Sequence, residues 1–479
     1  MALPIGSKIG YGAGQIGEGV KTAAFTYFLF FFYTQVLGLA PARAGLALFI
    51  ATTIDALVDP PIGSWSDRLR HRWGRRHPFM YASALPLALG YALIFAPPHG
   101  LGETGLFVWL LTFAVFTRVA LSLFQVPYMA LGAELSPDYA ERTSIVGWRT
   151  VFGAVGQTAI LSIAWTQFFR ASPEFANGQM NAAAYPGFGM FGAAIIGVFT
   201  LLAALSTHRR IPALATTAVA PGEGGLAAVW RDGRTALASR SFRALFLCLL
   251  IFQTLRGTQE VLSLHQLTFF WGLAPDQILR LTLLAFVALL LGVPAWTMAS
   301  RYLDKKPTLV AGIALFCSVG ALFPTLKLLG WYPPDGTAAY LNLLFVSGVL
   351  SGLGGAAVFV AAGSMVADAA DDEELATGRR LAGVFFGAIL FATQATSGLG
   401  GWIGGLALQA IGFDPKIAAA AIGPEVIRAL GAIAPVTQVL ALLSLVPLAS
   451  YQITRVSHAR IVTALAARRE LNDNLRARS

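Results

Sequence analysis

Charge is what this sequence has least of. Of its 479 residues, Asp, Glu, Lys and Arg make up 12%, whereas soluble domains carry about 25%. Together with 56% hydrophobic residues and a mean hydropathy of +0.66, that shortage excludes a soluble globular fold and points to a polytopic membrane protein. Cysteine is nearly absent. Cys248 and Cys317 both lie in apolar runs, which leaves no disulfide framework or thiolate metal site and reads them as small buried hydrophobes. No nucleophile motif, phosphate loop or metal-ligand cluster is present, and no segment is long enough for a soluble catalytic or signalling domain. A membrane-bound enzyme or sensor is therefore the disfavoured alternative, and no cofactor is expected. The net charge of +10 does not call for nucleic acid, because the basic residues gather in loops, as they do on the cytoplasmic side of membrane proteins. Met1 to Gly19 is glycine-rich and runs straight into a full span, so no cleavable leader is expected.

What is there is a series of apolar runs. About twenty residues cross a bilayer as a helix, and spans are expected at 10–38, 43–66, 78–97, 105–133, 143–168, 185–207, 241–271, 275–300, 307–329, 338–366, 379–411 and 426–452. The longest joining segment, 208–240, contains Pro212, Pro221 and a Gly-Glu-Gly-Gly run, and reads as a linker. The expected domains are an N-terminal six-helix half (1–207), the linker (208–240), a C-terminal six-helix half (241–455) and a tail (456–479). Basic residues crowd the turn after span 2 (Arg68, Arg70, Arg72, Arg75, Arg76), the linker, the turn after span 8 (Arg301, Lys305, Lys306) and the tail. The opposite loops are nearly bare, so both termini are expected in the cytoplasm of a bacterial-type inner membrane.

The halves echo each other. Asp67 to Phe79 resembles Arg301 to Pro307, and Glu134 to Arg142 resembles Asp368 to Arg380. Equivalent loops on one side of the membrane mean parallel repeats. The expected fold is an all-α membrane protein of twelve transmembrane helices in two six-helix parallel pseudo-repeats, functional as a monomer in the lipid bilayer.

Within span 2, Ile54 to Pro61 carries Asp55 and Asp59 one helical turn apart, about 6 Å between Cβ atoms. Each such charge at membrane depth costs about 2.5–3.5 kcal/mol on insertion scales. Pro60 and Pro61 cannot donate to the carbonyls of Ala56 and Leu57, which leaves oxygens free beside the carboxylates. The pattern predicts a site for a coupling cation; the alternative is an ion pair with Arg118 or Arg149. Glu18 with Lys21, and Arg256 with Glu260, are also intramembrane; each pair either neutralises itself or faces a polar cavity. Four acids and four bases in the spans leave the set positive once a cation binds. An anionic solute held by Arg149 with Arg118 or Arg256 is therefore expected. Tyr128 and Trp148 are the aromatic rings expected to line the solute pocket.

Several motifs recur together: Gly10-Tyr11-Gly12, Phe32-Tyr33-Thr34, Val36-Leu37-Gly38-Leu39, Asp55-Ala56 with Asp59-Pro60, Arg72-Trp73-Gly74-Arg75-Arg76, Val126-Pro127-Tyr128 and Met365-Val366-Ala367-Asp368. In this combination the chain resembles the glycoside–pentoside–hexuronide:cation symporter family, the melibiose-permease type of major facilitator. The resemblance implies secondary active symport of a sugar or glycoside with H⁺ or Na⁺ by alternating access. It implies that Asp55, Asp59 and Ser122 (a threonine in the family) hold the cation, and that Arg149 faces the sugar. It also places Gln125 and Gln394 where sugar-transporting members have an acidic residue and a lysine, Gly19 at a second acidic position, and Val58 at a cation-site asparagine. Loss of one oxygen ligand at Val58 tilts the expectation to H⁺, which needs only a carboxylate whose charged form is disfavoured by its surroundings. Relatives in animals carry lysophospholipids, which is the runner-up substrate. Asp67, Arg68, Arg75 and Arg76 resemble the facilitator loop that locks the cytoplasmic side. Glu141 and Arg142 join them as gating residues, with Glu141 and Asp368 to Glu374 as expected acidic partners. Gly400/Gly404 and Gly401/Gly405 have the spacing of close helix crossings.

Overall fold

Long apolar runs become helices because a backbone away from water must satisfy its own N–H and C=O groups. The computed structural model describes residues 4–136, 138–211, 234, 236–300, 302–378, 382–414 and 422–478. Residues 212–233 of the expected linker lie outside them. Among the described residues there is no strand, and twelve helical rods follow in chain order. The first, α1, is assembled from Ile5–Ala13, Gln15–Ala24 and two π-helical turns, Phe25–Leu29 and Phe32–Val36. Next come α2 (Pro41–Arg68), α3 (His77–Ile94), α4 (Glu103–Glu134), α5 (Tyr139–Ile163, extended by Ala164–Phe168) and α6 (Ala184–His208). The others are α7 (Arg240–Phe270), α8 (Pro275–Ala299), α9 (Lys305–Leu328), α10 (Ala338–Thr377), α11 (Ala382–Ala410) and α12 (Pro424–Leu448). Nine of these are long and apolar enough, among the described residues, to cross a membrane by length and composition. A thirteenth helix, α13 (Arg455–Arg478), occupies what the sequence suggested only as a tail.

The chain forms two compact units. One comprises Met1–Gly222, Gly257–Leu279 and Gly398–Leu430; the other comprises Glu223–Arg256, Arg280–Ser397 and Gly431–Ser479. The contacts thus assign the far ends of α7 and α11 to the same unit as α1–α6, whereas the chain order suggested a division at the linker.

Glycines set the close approaches in the first unit. A Cβ on Gly19 would stand 2.8 Å from the backbone N of Gln157, and one on Gly156 would stand 2.8 Å from Cα of Ile16. α1 and α5 therefore cross backbone to backbone, the small-residue packing that substitutes for a hydrophobic driving force in lipid. The crossing leaves no room for a side chain at Gly19, the position at which the motif resemblance implied an acidic residue. In the second unit the same device joins α9 to α10, where a Cβ on Gly312 would stand 2.6 Å from Ala357 Cβ. Both cysteines are buried in that unit's core, with Phe242, Ile313, Met365 and Phe385. α2 runs unbroken through Pro60 and Pro61.

Candidate functional site

Burial in α2 forces Asp55 to find partners. It is 5% exposed, its Oδ2 accepts from Arg118 Nη1 at 3.0 Å, and its Oδ1 accepts from Ser122 Oγ at 2.8 Å. Arg118 and Ser122 are one turn apart on α4, the helix that packs along α2. Asp59, half-buried one turn further on, also lies within reach of the Ser122 hydroxyl and within the fields of Asp55, Lys21 and Arg118. Lys21 is 7% exposed; its Nζ lies 3.5 Å from Glu18 Oε1 and 5.7 Å from the centre of the Phe25 ring. Thr22 donates to the same Glu18 oxygen at 2.9 Å. The five charged groups thus form one cluster on α1, α2 and α4. Its formal charge is −1, from three carboxylates and two cations. Of the two ion-pair alternatives for the aspartates, Arg118 is realised, at Asp55. Arg149 sits elsewhere.

Three atoms along this strip are buried without a hydrogen-bond partner: Glu18 Oε2, Arg118 Nε and Gln125 Oε1. Gln125 Nε2 points to Gln15 Oε1 at 3.5 Å, so α1 and α4 present polar atoms toward each other here. Two open acceptors and one open donor suit a ligand carrying hydroxyl groups, because unmade buried hydrogen bonds are costly. Arg149 projects from α5 toward the Tyr11 hydroxyl, and its Nη1 lies 2.6 Å from Met129 Sδ. Among the described residues it has no carboxylate partner.

Tyr128 takes a different place from the one expected. It is fully buried, its hydroxyl donates to Tyr11 O at 2.9 Å, and Tyr11 returns a bond to Tyr128 O at 2.7 Å. The two rings stack with centres 4.4 Å apart. This reciprocal clasp ties α1 to α4 and leaves no ring face for a sugar. Trp148 remains half-buried, stacked on Phe152. Glu260 is half-buried in the part of α7 that belongs to the first unit, whereas Arg256 and Gln394 belong to the second.

The basic turn is ordered by an acid that sequence reasoning passed over. Glu134, the last residue of α4, accepts from Arg75 Nη2 at 3.0 Å and from Arg76 Nη2 and Nε at 2.9 and 3.1 Å. Arg76 also pairs with Asp67 and donates to Ser66 Oγ at 2.5 Å. Arg68 is exposed. Glu141, expected as a partner of this turn, instead pairs with Lys8 at 3.0 Å and accepts from Ser136 Oγ, and Arg142 donates to Ser136 O. Asp368, also expected there, is held by Lys305 at 2.7 Å in the second unit. Glu134 could have been found from the repeat, since it heads the segment that matches Asp368 onward.

At the end of α1 remote from this turn, a second group of contacts was not foreseen. His265 of α7, fully buried among Phe30, Phe31, Phe269 and Phe413, meets Thr34 Oγ1 through Nε2 at 3.1 Å. Gln179, in the α5–α6 connection, donates to Thr268 Oγ1 at 3.1 Å. Phe49 of α2 stacks on Trp402 of α11, and a Cβ on Gly45 would stand 2.8 Å from Gly401 O. The glycine repeat of α11 thus serves contact with α2 as well as with α7.

The family model of the MFS/sugar transport proteins matches residues 10–455. An uncharacterized symporter of Synechocystis sp. is 26% identical, covering 97% of this chain and 97% of its own. An isoprimeverose transporter of Lactiplantibacillus pentosus is 24% identical over 86% of this chain and 81% of its own. A sodium-dependent lysophosphatidylcholine symporter of Gallus gallus is 25% identical over 86% and 80%. Among solved structures, a bacterial homolog of the human lysosomal transporter Spinster, inward-facing and unoccupied, has a TM-score of 0.63 at 15% identity over 96% of this chain and 97% of its own, a likeness of fold. The resemblance read from the motifs and the helical architecture agree with these relationships: the chain is an integral membrane transporter that belongs to the MFS/sugar transport family, of the glycoside–pentoside–hexuronide symporter type.

Proposed function

We propose that this protein couples the movement of one cation to the uptake of a sugar or glycoside, by alternating access in a bacterial cytoplasmic membrane with both termini inside. The observation that carries the coupling is the pairing of Asp55 and Asp59 at Ser122, with only Asp55 neutralised directly by Arg118. The cluster's formal charge of −1 is cancelled by a single monovalent cation. Both Asp55 oxygens already accept hydrogen bonds and the Val58 side chain offers no oxygen, so beyond Asp59 and the backbone carbonyls freed by Pro60 and Pro61 the site adds few of the ligands that sodium needs. A proton on Asp59 needs none of them. In proteoliposomes, a pH gradient in sodium-free buffer is expected to drive uptake of the transported sugar, and Asp59→Asn to abolish uphill uptake. Strict dependence on Na⁺ would overturn the choice of ion.

For the solute, the open acceptors Glu18 Oε2 and Gln125 Oε1 favour hydroxyl groups, and the acid-free Arg149 favours a carboxylate, which together describe an acidic sugar such as a hexuronide. A panel of labelled neutral glycosides and glucuronides decides this: transport of neutral glycosides with no competition by glucuronides would refute it. The second reading, a lysophospholipid-like amphiphile, rests on the Gallus gallus relative. Uptake of labelled lysophosphatidylcholine without uptake of any sugar would establish it instead.

A further inference from the structure

The two halves use equivalent acids differently. In the first, Glu134 is held by two guanidinium groups from one turn, Arg75 and Arg76. In the second, the matching acid is Asp368, 4% exposed, and among the described residues the matching turn supplies it one cation, Lys305, whose Nζ lies 2.7 Å from both carboxylate oxygens. The second partner comes from outside the repeat. His458 of α13 places its Nε2 3.2 Å from Asp368 Oδ1 and 3.2 Å from Asp371 Oδ2.

α13 is seated for this. The backbone N–H of Arg455 donates to Asp304 Oδ1 at 2.9 Å, Ile461 and Leu465 are buried, and Arg468 reaches Leu375 O at 3.4 Å. His458, Ile461, Leu465 and Arg468 are spaced to share one helix face. Lys306 fastens the segment leading into the helix by donating to Ala449 O and Tyr451 O at 3.0 Å each. The groups around the imidazole are Asp368 and Asp371 of α10, Lys305 of α9 through its pair with Asp368, and the Tyr451 phenol, which also lies in the fields of Asp372 and Asp304; Asp304 accepts from the backbone N–H of Arg455 on the histidine's own helix.

We propose that α13 is a detachable part of the second half's charge latch, and that His458 is a positioning residue that holds it docked when protonated. Histidine is the side chain that changes charge between about pH 5 and 8. The imidazolium is attracted by two carboxylates; the neutral ring keeps at most one hydrogen bond to either. Docking is therefore strongest at low pH and weakens as pH rises through the imidazole's range. When α13 leaves, Lys305 is the cation that remains on Asp368 among the described residues, and the latch resembles the first half with one arginine missing.

The test is a distance measurement on the purified full chain, with spin labels at Leu303→Cys and Val462→Cys, both exposed, and Cys248 and Cys317 replaced by Ala. The wild-type histidine is expected to give a docked-to-free ratio roughly fivefold higher at about pH 5 than at about pH 8. His458→Arg should stay docked at both, and His458→Gln should be equally loosened at both. The arginine variant separates loss of charge from loss of fold. An identical distance distribution at both pH values for the wild type, or pH dependence that survives in His458→Gln, overturns the proposal.

Discussion

Asn substitution at the two aspartates of α2 should move stability in opposite directions. Asp55 is 5% exposed and ion-paired with Arg118. Removing one partner of a buried pair costs about 3–5 kcal/mol. Asn keeps one oxygen for Arg118 and its amide N–H can donate to the Ser122 hydroxyl, so the low end, about 3 kcal/mol, is expected for Asp55→Asn. Asp59 has no direct cation; its main charged neighbour at one turn is Asp55. Two like charges about 6 Å apart repel by about 3 kcal/mol at an effective dielectric of about 20. Lys21 and Arg118 offset part of that, so Asp59→Asn should stabilise by about 1–2 kcal/mol. Because Cys248 and Cys317 are 0% and 1% exposed, a thiol-reactive fluorophore reports unfolding as the temperature is raised. Asp55→Asn should melt several degrees below wild type and Asp59→Asn at or above it, while both lose uphill uptake. If Asp59→Asn melted as low as Asp55→Asn, the assignment of the ion pair to Asp55 would be wrong.

Three further outcomes follow from named contacts. Glu134→Gln leaves Arg75 and Arg76 facing a neutral amide and should lower the same melting transition by about 2–3 kcal/mol, with Glu134→Asp recovering part of it. Gly312→Val pushes a branched side chain against Ala357 and should cost about 1–3 kcal/mol or more; an unchanged melt would show that α9 and α10 do not meet there. His265→Leu should be neutral within about 1 kcal/mol, since the cage is aromatic and Thr34 retains its bond to Phe30 O at 2.7 Å, whereas His265→Asp should be strongly destabilising. Equal effects of the two would refute an apolar cage.

What could be read in the sequence was encoded locally. Apolar runs give helices. Asp55 and Asp59 stand out because charge is so scarce in the spans. Partners at long range could not be read. Thr34 and His265 are 231 positions apart, and nothing in either segment names the other. Tyr128 carries the same signal whether its ring faces a sugar or, as found, Tyr11. Glu134 was hidden by sitting at the end of an apolar run, where one acid reads as a helix end. The face His458, Ile461, Leu465, Arg468 is periodic, but α13 is so rich in arginine and alanine that it reads as a solvated tail.

The two π-helical turns of α1 make the protein sensitive to residue number rather than residue kind. A π-turn holds one residue more than the α-turn it replaces, so deletion of one residue within Phe25–Leu29 is absorbed by return to an α-turn, whereas one residue inserted there and taken up as α-helix would rotate everything beyond it by about 100°. Glu18 and Lys21, before the turn, would keep their places. Thr34 would swing away from His265, and Phe32 from the Tyr185 ring on which it stacks at 4.0 Å. Conservative replacements in this stretch leave the phase intact, whereas an insertion of a single residue disconnects the two ends of the helix from each other's register.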